Sequence, residues 1–131
     1  MSTETAIREI IAAYGAGDLD KVRDCMSDDV HYRINSTPGL ARYTADCRGK
    51  DAFFEVIHTM LKNWDPQYFR LVELLVAGNR GAARCDLHFI NRADGSDHFD
   101  HLALFFTVED GKICAIHEFH DTGKIAAAAT V

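Results

Sequence analysis

The sequence predicts an α+β domain: a cone-shaped, curved antiparallel sheet that three helices close over an internal pocket. Two observations lead to this fold class. Apolar residues recur at helical spacing before Pro66, and they alternate with a period of two after it. Helices that precede a run of strands pack together on one face of the sheet. The length of 131 residues fits one domain with its own core, so we assign residues 1–131 to a single domain.

Three helices are predicted in the first half of the chain. The first covers about 2–15, and its apolar residues have the i, i+3, i+4, i+7 spacing of an amphipathic helix: Ile7, Ile10, Ile11 and Tyr14. Asp18 is a suitable N-cap for a short second helix. The third covers about 51–64, where the following Asp65-Pro66 ends it.

Five strands are predicted, one before the third helix and four after it. The first covers 30–35 and is followed by a long loop at 36–49. The other four are predicted at 69–77, 82–91, 99–108 and 112–120. Asp110-Gly111 is typical of a tight hairpin turn. The alanine-rich residues after 121 are predicted to form one helical turn.

Composition excludes several classes of function. The formal charge of −6, without a clustered basic run, argues against binding to nucleic acid or to an anionic membrane surface. No apolar stretch approaches the roughly 18 residues of a membrane span. The first residues lack the pattern of a secretory signal, so we expect a soluble, cytoplasmic protein. Glycine-rich phosphate-binding motifs are absent too, and we expect no cofactor.

Cysteine and histidine spacings give no metal or disulfide pattern. The four cysteines never form C-x-x-C, so we expect reduced thiols that pack as small apolar groups. Two His-x-x-His pairs occur, at 98–101 and 117–120, but both fall on predicted strands. Residues i and i+3 of a strand point to opposite faces, so we expect no metal site.

The most informative strand is Ala83-Arg84-Cys85-Asp86-Leu87-His88-Phe89. Alternation places Arg84, Asp86 and His88 on one face and the apolar residues on the other. If the helices cover the polar face, these three side chains line a pocket and must satisfy one another. If they cover the other face, the three are solvated and an Arg–Asp pair contributes little.

Two further polar clusters lie at strand ends. One is Ile116-His117-Glu118-Phe119-His120-Asp121 at the end of the last predicted strand, where the mouth of a curved sheet commonly holds pocket residues. The alternative is a solvated strand end that leads into a turn starting at Asp121. The other, 97–101, is a cluster of aspartates and histidines at the entry to a strand.

Acid–base chemistry is the function that these residue types favour. Asp86, Arg84 and Asp121 in one cavity would place a guanidinium between two carboxylates, which then share a proton. One carboxyl group can then act as an acid while the other acts as a base.

Three short motifs resemble a known superfamily. They are the turn Ala16-Gly17-Asp18-Leu19-Asp20, the helix entry Arg48-Gly49-Lys50-Asp51-Ala52 and the hairpin Glu109-Asp110-Gly111-Lys112-Ile113. With the order of elements, they are similar to the nuclear transport factor two-like superfamily, which includes SnoaL-like polyketide cyclases, ketosteroid isomerases and limonene-epoxide hydrolases. The resemblance implies a cone-shaped α+β barrel.

The resemblance separates the enzyme types residue by residue. The tyrosine and the general-base aspartate of ketosteroid isomerases fall on Ile10 and near Ile34, which argues against that mechanism. The Arg-x-Asp and final-strand aspartate of limonene-epoxide hydrolases correspond to Arg84, Asp86 and Asp121. The resemblance implies that Asp86 is the acid, Arg84 the bridge and Asp121 the base that activates water.

The same resemblance suggests residues that hold water or substrate. The Tyr-x-Asn motif of the hydrolases has a counterpart in Tyr32 and Asn35, with one residue too many between them. His88 and His117 would instead serve a cyclase or a dehydratase, in which histidine and aspartate move protons.

These inferences predict a cofactor-free enzyme that acts on a small apolar oxygenated molecule, most concretely by hydrating an epoxide. An isomerase, a polyketide cyclase or a dehydratase is the alternative within the group. The alternative from another class is a non-catalytic domain that binds a small ligand or dimerises. Because a curved sheet leaves its outer face to cover, we expect a homodimer.

Overall fold

The computed structural model describes residues 2–35 and 45–121. Within these ranges the chain forms three helices: α1 (Thr3–Gly15), α2 (Leu19–Asp24) and α3 (Lys50–Asn63). It also forms six strands: β1 (Met26–Ile34), β2 (Ala45–Arg48), β3 (Trp64–Ala77), β4 (Arg80–Asn91), β5 (Asp97–Glu109) and β6 (Lys112–Phe119). The predicted α+β class is confirmed.

The described strands form one curved sheet in the order β2-β1-β6-β5-β4-β3. Neighbouring strands run antiparallel, except that β1 and β6 are parallel. The antiparallel meander predicted after the third helix is confirmed in β3–β6, whereas the parallel β1/β6 pair departs from the predicted antiparallel sheet. The register shifts within the β1/β6, β3/β4 and β5/β6 pairs, and such irregularities bend strands. Because β1 and β6 run the same way, their C-terminal ends lie side by side, and Asn35 reaches His120.

Alternation along β4 separates an inner face from an outer one. Odd-numbered residues of this strand are buried, and they include Ala83, Cys85, Leu87 and Phe89. Burial of this apolar face against the helices supplies the main driving force for the fold. The same alternation on β5 and β6 turns Leu104, Phe106 and Ile116 inward.

Helix α1 begins and packs as its sequence predicts. The Ser2 hydroxyl accepts a hydrogen bond from the Thr5 N–H at 3.1 Å and so caps the helix. Its apolar residues join the core: Ala6, Ile7, Ile10, Ile11 and Ala13. The predicted N-cap of α2 is confirmed, since Asp18 Oδ1 accepts from the Lys21 N–H at 3.1 Å.

Several boundaries differ from those predicted. β1 begins at Met26 rather than at residue 30, because the Cys25 carbonyl accepts a hydrogen bond from the Ile113 N–H at 2.9 Å. β2 lies inside the predicted loop 36–49 and is too short for its alternation to be recognised. Pro66 lies within β3, which is an edge strand, where a proline is tolerated.

Residues 36–44 of the predicted loop and the predicted alanine-rich turn lie outside the described residues. Within the described part of the chain, the four cysteines are free thiols. None of the described helices has the length and apolar character needed to cross a membrane.

Gly15 fixes how closely α1 approaches β3. A Cβ atom at this position would lie 2.4 Å from the backbone carbonyl oxygen of Phe69. A backbone atom cannot swing aside as a side chain can, so only glycine fits without movement of the helix or the strand. Tyr14, the preceding residue, packs edge-on against the Phe69 ring with 4.9 Å between the ring centroids.

We predict that Gly15→Ala destabilises the protein by about 1–3 kcal/mol, the usual cost of overpacking. The free energy of unfolding in urea measures this loss. The control is Ala12→Ser on the exposed side of the same helix, for which a change within about 0.5 kcal/mol is expected. Equal effects of the two substitutions would show that the Gly15–Phe69 approach does not constrain the fold.

Candidate functional site

An internal cavity of about 80 Å³ lies between the inner face of the sheet and helices α1 and α3. Most of its wall is apolar, contributed by Ile34, Val56, Ile57, Met60, Trp64, Phe69, Leu87 and Phe89. Its polar groups belong to Tyr14, Tyr32, His98, Glu118 and His120. A cavity with apolar walls and a few convergent polar groups is the usual form of a small-molecule site.

Glu118 and His120 form a hydrogen-bonded pair at the cavity wall. His120 Nε2 donates to Glu118 Oε2 at 3.0 Å, and the two side chains are only 14% and 17% exposed. Burial by itself lowers the pKa of His120, but the hydrogen bond and the charge of Glu118, together with the charge of Asp100, raise it above its ordinary value. The pair therefore favours an imidazolium beside a carboxylate.

Two tyrosine hydroxyls surround Glu118. Burial, followed by the negative charge of Glu118, raises the pKa of Tyr32 well above its ordinary value, and a hydrogen bond between the two adds to the shift. Burial and the same charge raise the pKa of Tyr14, whose hydroxyl lies 3.7 Å from Met60 Sδ. Both phenols keep their protons at neutral pH and can donate a hydrogen bond.

Asn35 holds the backbone that carries His120. Its side-chain Nδ2 donates to the His120 carbonyl at 3.3 Å, and its Oδ1 accepts from the His120 N–H at 3.0 Å. Its own N–H donates to the Glu118 carbonyl at 3.0 Å. Asn35, predicted from sequence to hold water or substrate, is instead placed to position the Glu118–His120 segment.

A second histidine–carboxylate pair lies on β5. His98 Nε2 is 3.9 Å from Asp100 Oδ2, and Asp100 is buried with Oδ1 accepting from the His101 N–H at 2.8 Å. His98 lines the cavity and packs on Trp64, with 5.2 Å between ring centroids. The negative charge of Asp100 also reaches His120. The cavity thus has one histidine on β5 and a second directly after the end of β6.

Arg84 and Asp86 lie on the outer face of the sheet, away from the cavity. Their predicted placement under the helices is wrong, because the helices bury the apolar face of β4. Burial of this face is the second of the two arrangements that the sequence allowed. Arg84 is exposed, and Asp86 Oδ1 is 2.5 Å from His101 Nδ1 rather than paired with the arginine. Asp121 is exposed directly after β6. The structure does not bring the three together in one cavity.

The other predicted site residues divide between the two faces. Tyr32 lines the cavity. His88 is on the outer face, where Nε2 lies 2.8 Å from Asp97 Oδ1 and the ring stacks on Phe99 at 4.1 Å. His117 is also on the outer face, beside Phe119.

Sequence reasoning missed Glu118, His120, His98 and Tyr14 as cavity residues. A usable signal was present, because Ile116 is apolar and alternation from it turns Glu118 and His120 to the same side. The cluster 116–121 is predicted to be a strand end near a pocket, but the family resemblance selects Asp121 from it rather than Glu118 or His120.

The described residues give no group of three or more His, Cys, Asp or Glu side chains that could hold a metal ion. Cys85 lies on the inner face, where burial raises the pKa of its thiol to about 12, with smaller contributions from the charges of Glu118 and Asp86. A thiol with so high a pKa is a poor nucleophile. The titratable groups at the cavity suit proton transfer.

Comparison with known proteins gives a family and a set of structural neighbours. The model of the SnoaL-like domain family matches residues 7–116. The ECF RNA polymerase sigma factor SigJ of Mycobacterium tuberculosis is 28% identical over 123 residues, which are 93% of this chain and 38% of that protein. The chain therefore spans well under half the length of this curated relative.

The solved structures share the fold at low sequence identity. An NTF2-like protein from Burkholderia thailandensis superposes with a TM-score of 0.87 at 19% identity, over 98% of this chain and 97% of the other. An LEH-like epoxide hydrolase from M. tuberculosis gives a TM-score of 0.76 at 15% identity, over 98% and 89%. At these identities the similarity shows the fold alone.

We predict a pH-dependent contribution of His120 to stability. Because its folded pKa is raised, the stability that it contributes is fully present below the ordinary value of 6.5 and is lost as the pH rises through the folded pKa. The gap in unfolding free energy between the wild type and His120→Gln should therefore shrink as the pH rises from about 6 to 9. Urea unfolding across this range measures it.

In Glu118→Gln, burial still acts on His120 but the partner charge is gone, so the pKa of His120 should fall below that in the wild type. Titration of the imidazole signals by NMR provides this control. A stability gap that is constant or grows with pH would contradict the Glu118–His120 ion pair.

Proposed function

The chain belongs to the SnoaL-like domain family, and we propose that it is a cofactor-independent enzyme that moves a proton on a small, apolar carbonyl compound. The reaction is of the isomerase, cyclase or dehydratase type. The observation that supports this most strongly is the Glu118–His120 pair, hydrogen-bonded at 3.0 Å in the wall of an apolar cavity. A base and an acid side by side are what proton abstraction next to a carbonyl requires.

Each member of the pair has a role in the proposed reaction. The Glu118 carboxylate takes a proton from the carbon beside the carbonyl group. The His120 imidazolium donates a hydrogen bond to the carbonyl oxygen, where negative charge develops as the enolate forms. Return of the proton from Glu118 to another carbon gives isomerisation. Attack of the enolate carbon on a second carbonyl group of the same molecule gives cyclisation, in which the new alkoxide takes the proton. Loss of a β-hydroxyl group, which takes the proton and leaves as water, gives dehydration.

The surrounding residues support these roles. Nε2 of His120 donates a hydrogen bond to Glu118. The described residues form no hydrogen bond with Nδ1 of the same ring, so the Nδ1–H can donate to an oxygen of a ligand. The Tyr14 hydroxyl, whose partner Met60 Sδ is a weak acceptor, can donate a further hydrogen bond to that oxygen, while Tyr32 holds the Glu118 carboxylate. Asn35 keeps the His120 backbone in place through two hydrogen bonds.

The cavity walls restrict the class of substrate. A space of about 80 Å³ with mostly apolar lining favours a compact, uncharged molecule with one or two oxygen atoms. Exclusion of water from such a space strengthens the electrostatic action of the pair on the substrate.

Epoxide hydration, the most concrete sequence-based expectation, loses its main support. It depended on Arg84, Asp86 and Asp121 in one pocket, whereas Arg84 and Asp86 lie on the outer face of the sheet. A ligand-binding domain without catalysis is the competing class, and the similarity to part of a sigma factor is the observation that favours it.

We predict that the protein exchanges α-hydrogens of small apolar ketones and enones for deuterium in D₂O, followed by mass spectrometry over a compound panel. Glu118→Gln and His120→Gln should each slow this exchange by roughly 10²–10⁴-fold, the usual contribution of a general acid or base. Circular dichroism checks that the variants remain folded.

The matched controls are Asp86→Asn and His101→Gln, which remove a histidine–carboxylate pair of the same chemistry on the outer face. They should leave exchange unchanged, and a collapse in Asp86→Asn would restore the sequence-based assignment of that residue. A protein that binds panel compounds without exchanging deuterium would contradict catalysis. Turnover of epoxides alone, with ¹⁸O taken up from labelled water, would contradict the carbonyl chemistry.

A further inference from the structure

A hollow of about 220 Å³ lies on the outer face of the sheet, opposite the internal cavity. Its lining comes from four neighbouring strands: Arg33, Arg80, Phe105, Thr107, Ala115, His117 and Phe119. We call it the outer hollow. His117 and Glu118 are adjacent on β6, so alternation sends one side chain to the outer hollow and the next to the cavity.

The strand register explains how these side chains meet. Arg33 of β1 lies opposite His117 of β6, and His117 lies opposite Phe105 of β5. In the next row Thr107 of β5 lies opposite Arg80 of β4. Arg33 and Arg80 are thus three strand spacings apart across the sheet and two residues apart along it, roughly 16 Å at the backbone, and they line the outer hollow from opposite sides.

The outer hollow carries an excess of positive charge. No carboxylate occurs among its described lining residues, and no ion pair to Arg33 or Arg80 is formed within the described part of the chain. Arg33 Nε is buried and has no hydrogen-bond partner among the described residues. Asp46 of β2 lies opposite Arg33 and is hydrogen-bonded to His31, with 2.7 Å between Oδ1 and Nε2, so it offsets only part of this positive charge. A buried guanidinium N–H without an acceptor is costly, and an anionic ligand would satisfy it.

The imidazole of His117 agrees with an excess of positive charge. Burial, then the charges of Arg33 and His31, lower its pKa, and Asp46 opposes them only in part. An anion beside these groups would reverse that effect. The hydroxyl of Thr107 adds a neutral donor to the same space.

Two phenylalanine rings give the outer hollow an apolar part. Phe105 and Phe119 meet edge to face, with 5.6 Å between centroids, and His117 lies 4.3 Å from Phe119. Both phenylalanines are substantially exposed, at 43% and 39%. Aromatic rings beside guanidinium groups fit a molecule that joins an oxyanion to a flat apolar body.

We propose that the outer hollow binds a small organic anion, with its carboxylate or phosphate group between Arg33 and Arg80 and its apolar ring against Phe105 and Phe119. This site is separate from the proposed catalytic cavity and does not rest on it. Planar guanidinium groups bind both oxyanions through paired, charge-assisted hydrogen bonds. Benzoate and phenyl phosphate contain the required features, and they distinguish the two anion types.

The test is calorimetric titration of the whole protein with four probes. Benzoate or phenyl phosphate should bind saturably, inorganic phosphate more weakly because it has no ring, and benzyl alcohol more weakly because it has no charge. Arg33→Gln and Arg80→Gln should each weaken binding by about tenfold or more. Arg33→Lys keeps the positive charge but loses the planar guanidinium that forms paired hydrogen bonds, so it should have an intermediate effect.

Two controls make the result specific. Arg84→Gln removes an exposed charge from the same face but outside the outer hollow, and it should leave affinity unchanged. Glu118→Gln alters the cavity and should also leave it unchanged, so failure of the catalytic proposal and failure of this one are distinguishable.

Three results would overturn the proposal. One is equal weakening by Arg84→Gln and Arg33→Gln, which indicates attraction by net charge alone. Another is binding that Glu118→Gln abolishes, which places the probe in the cavity. The third is an absence of saturable binding, together with a dimer in sedimentation that Arg33→Gln and Arg80→Gln dissociate. That combination would show that the outer hollow contacts acidic groups of a second copy of the chain.

Discussion

The alternation of side chains across the curved sheet governs where every reactive group of this protein lies. Neighbouring residues of a strand point to opposite faces, and the helices bury the face that carries Cys85, Leu87 and Phe89 because that face is apolar. Because cross-strand partners point to the same face, the register then determines which residues of β5 and β6 point inward. Alternation turns Glu118 and His120 inward and His117 outward. The last strand and the residue after it therefore contribute side chains to the cavity on one face and to the cationic hollow on the other.

The Glu118–His120 pair is stable in an apolar cavity only because its neighbours satisfy it. A buried charge without a partner is strongly unfavourable, whereas a hydrogen-bonded pair offsets much of the cost. Tyr32 reaches Glu118, Asn35 holds the His120 backbone, and Asp100 adds negative charge. The same low polarity that makes the pair costly to bury makes it effective toward a bound substrate, since charges act more strongly where water is excluded.

The sequence predicted the fold well because helical spacing and period-two alternation are local patterns. The caps at Ser2 and Asp18 agree with the structure for the same reason. The parallel pairing of β1 with β6 could not be predicted, because it depends on contacts between segments far apart in the chain. Alternation along β4 does not determine which face is buried, and the family pattern places Arg84 and Asp86 on the wrong side. The apolar residues between them are the better guide, because their burial dominates the energy of packing.

The most direct test of the central claim is a crystal structure of the protein with phenol, a flat apolar molecule whose oxygen resembles that of an enolate. We expect phenol in the internal cavity, with its oxygen at hydrogen-bond distance, about 2.7–3.2 Å, from His120 or the Tyr14 hydroxyl. Phenol bound beside Arg84 and Asp86 on the outer face, with the cavity unoccupied at saturating concentration, would contradict it.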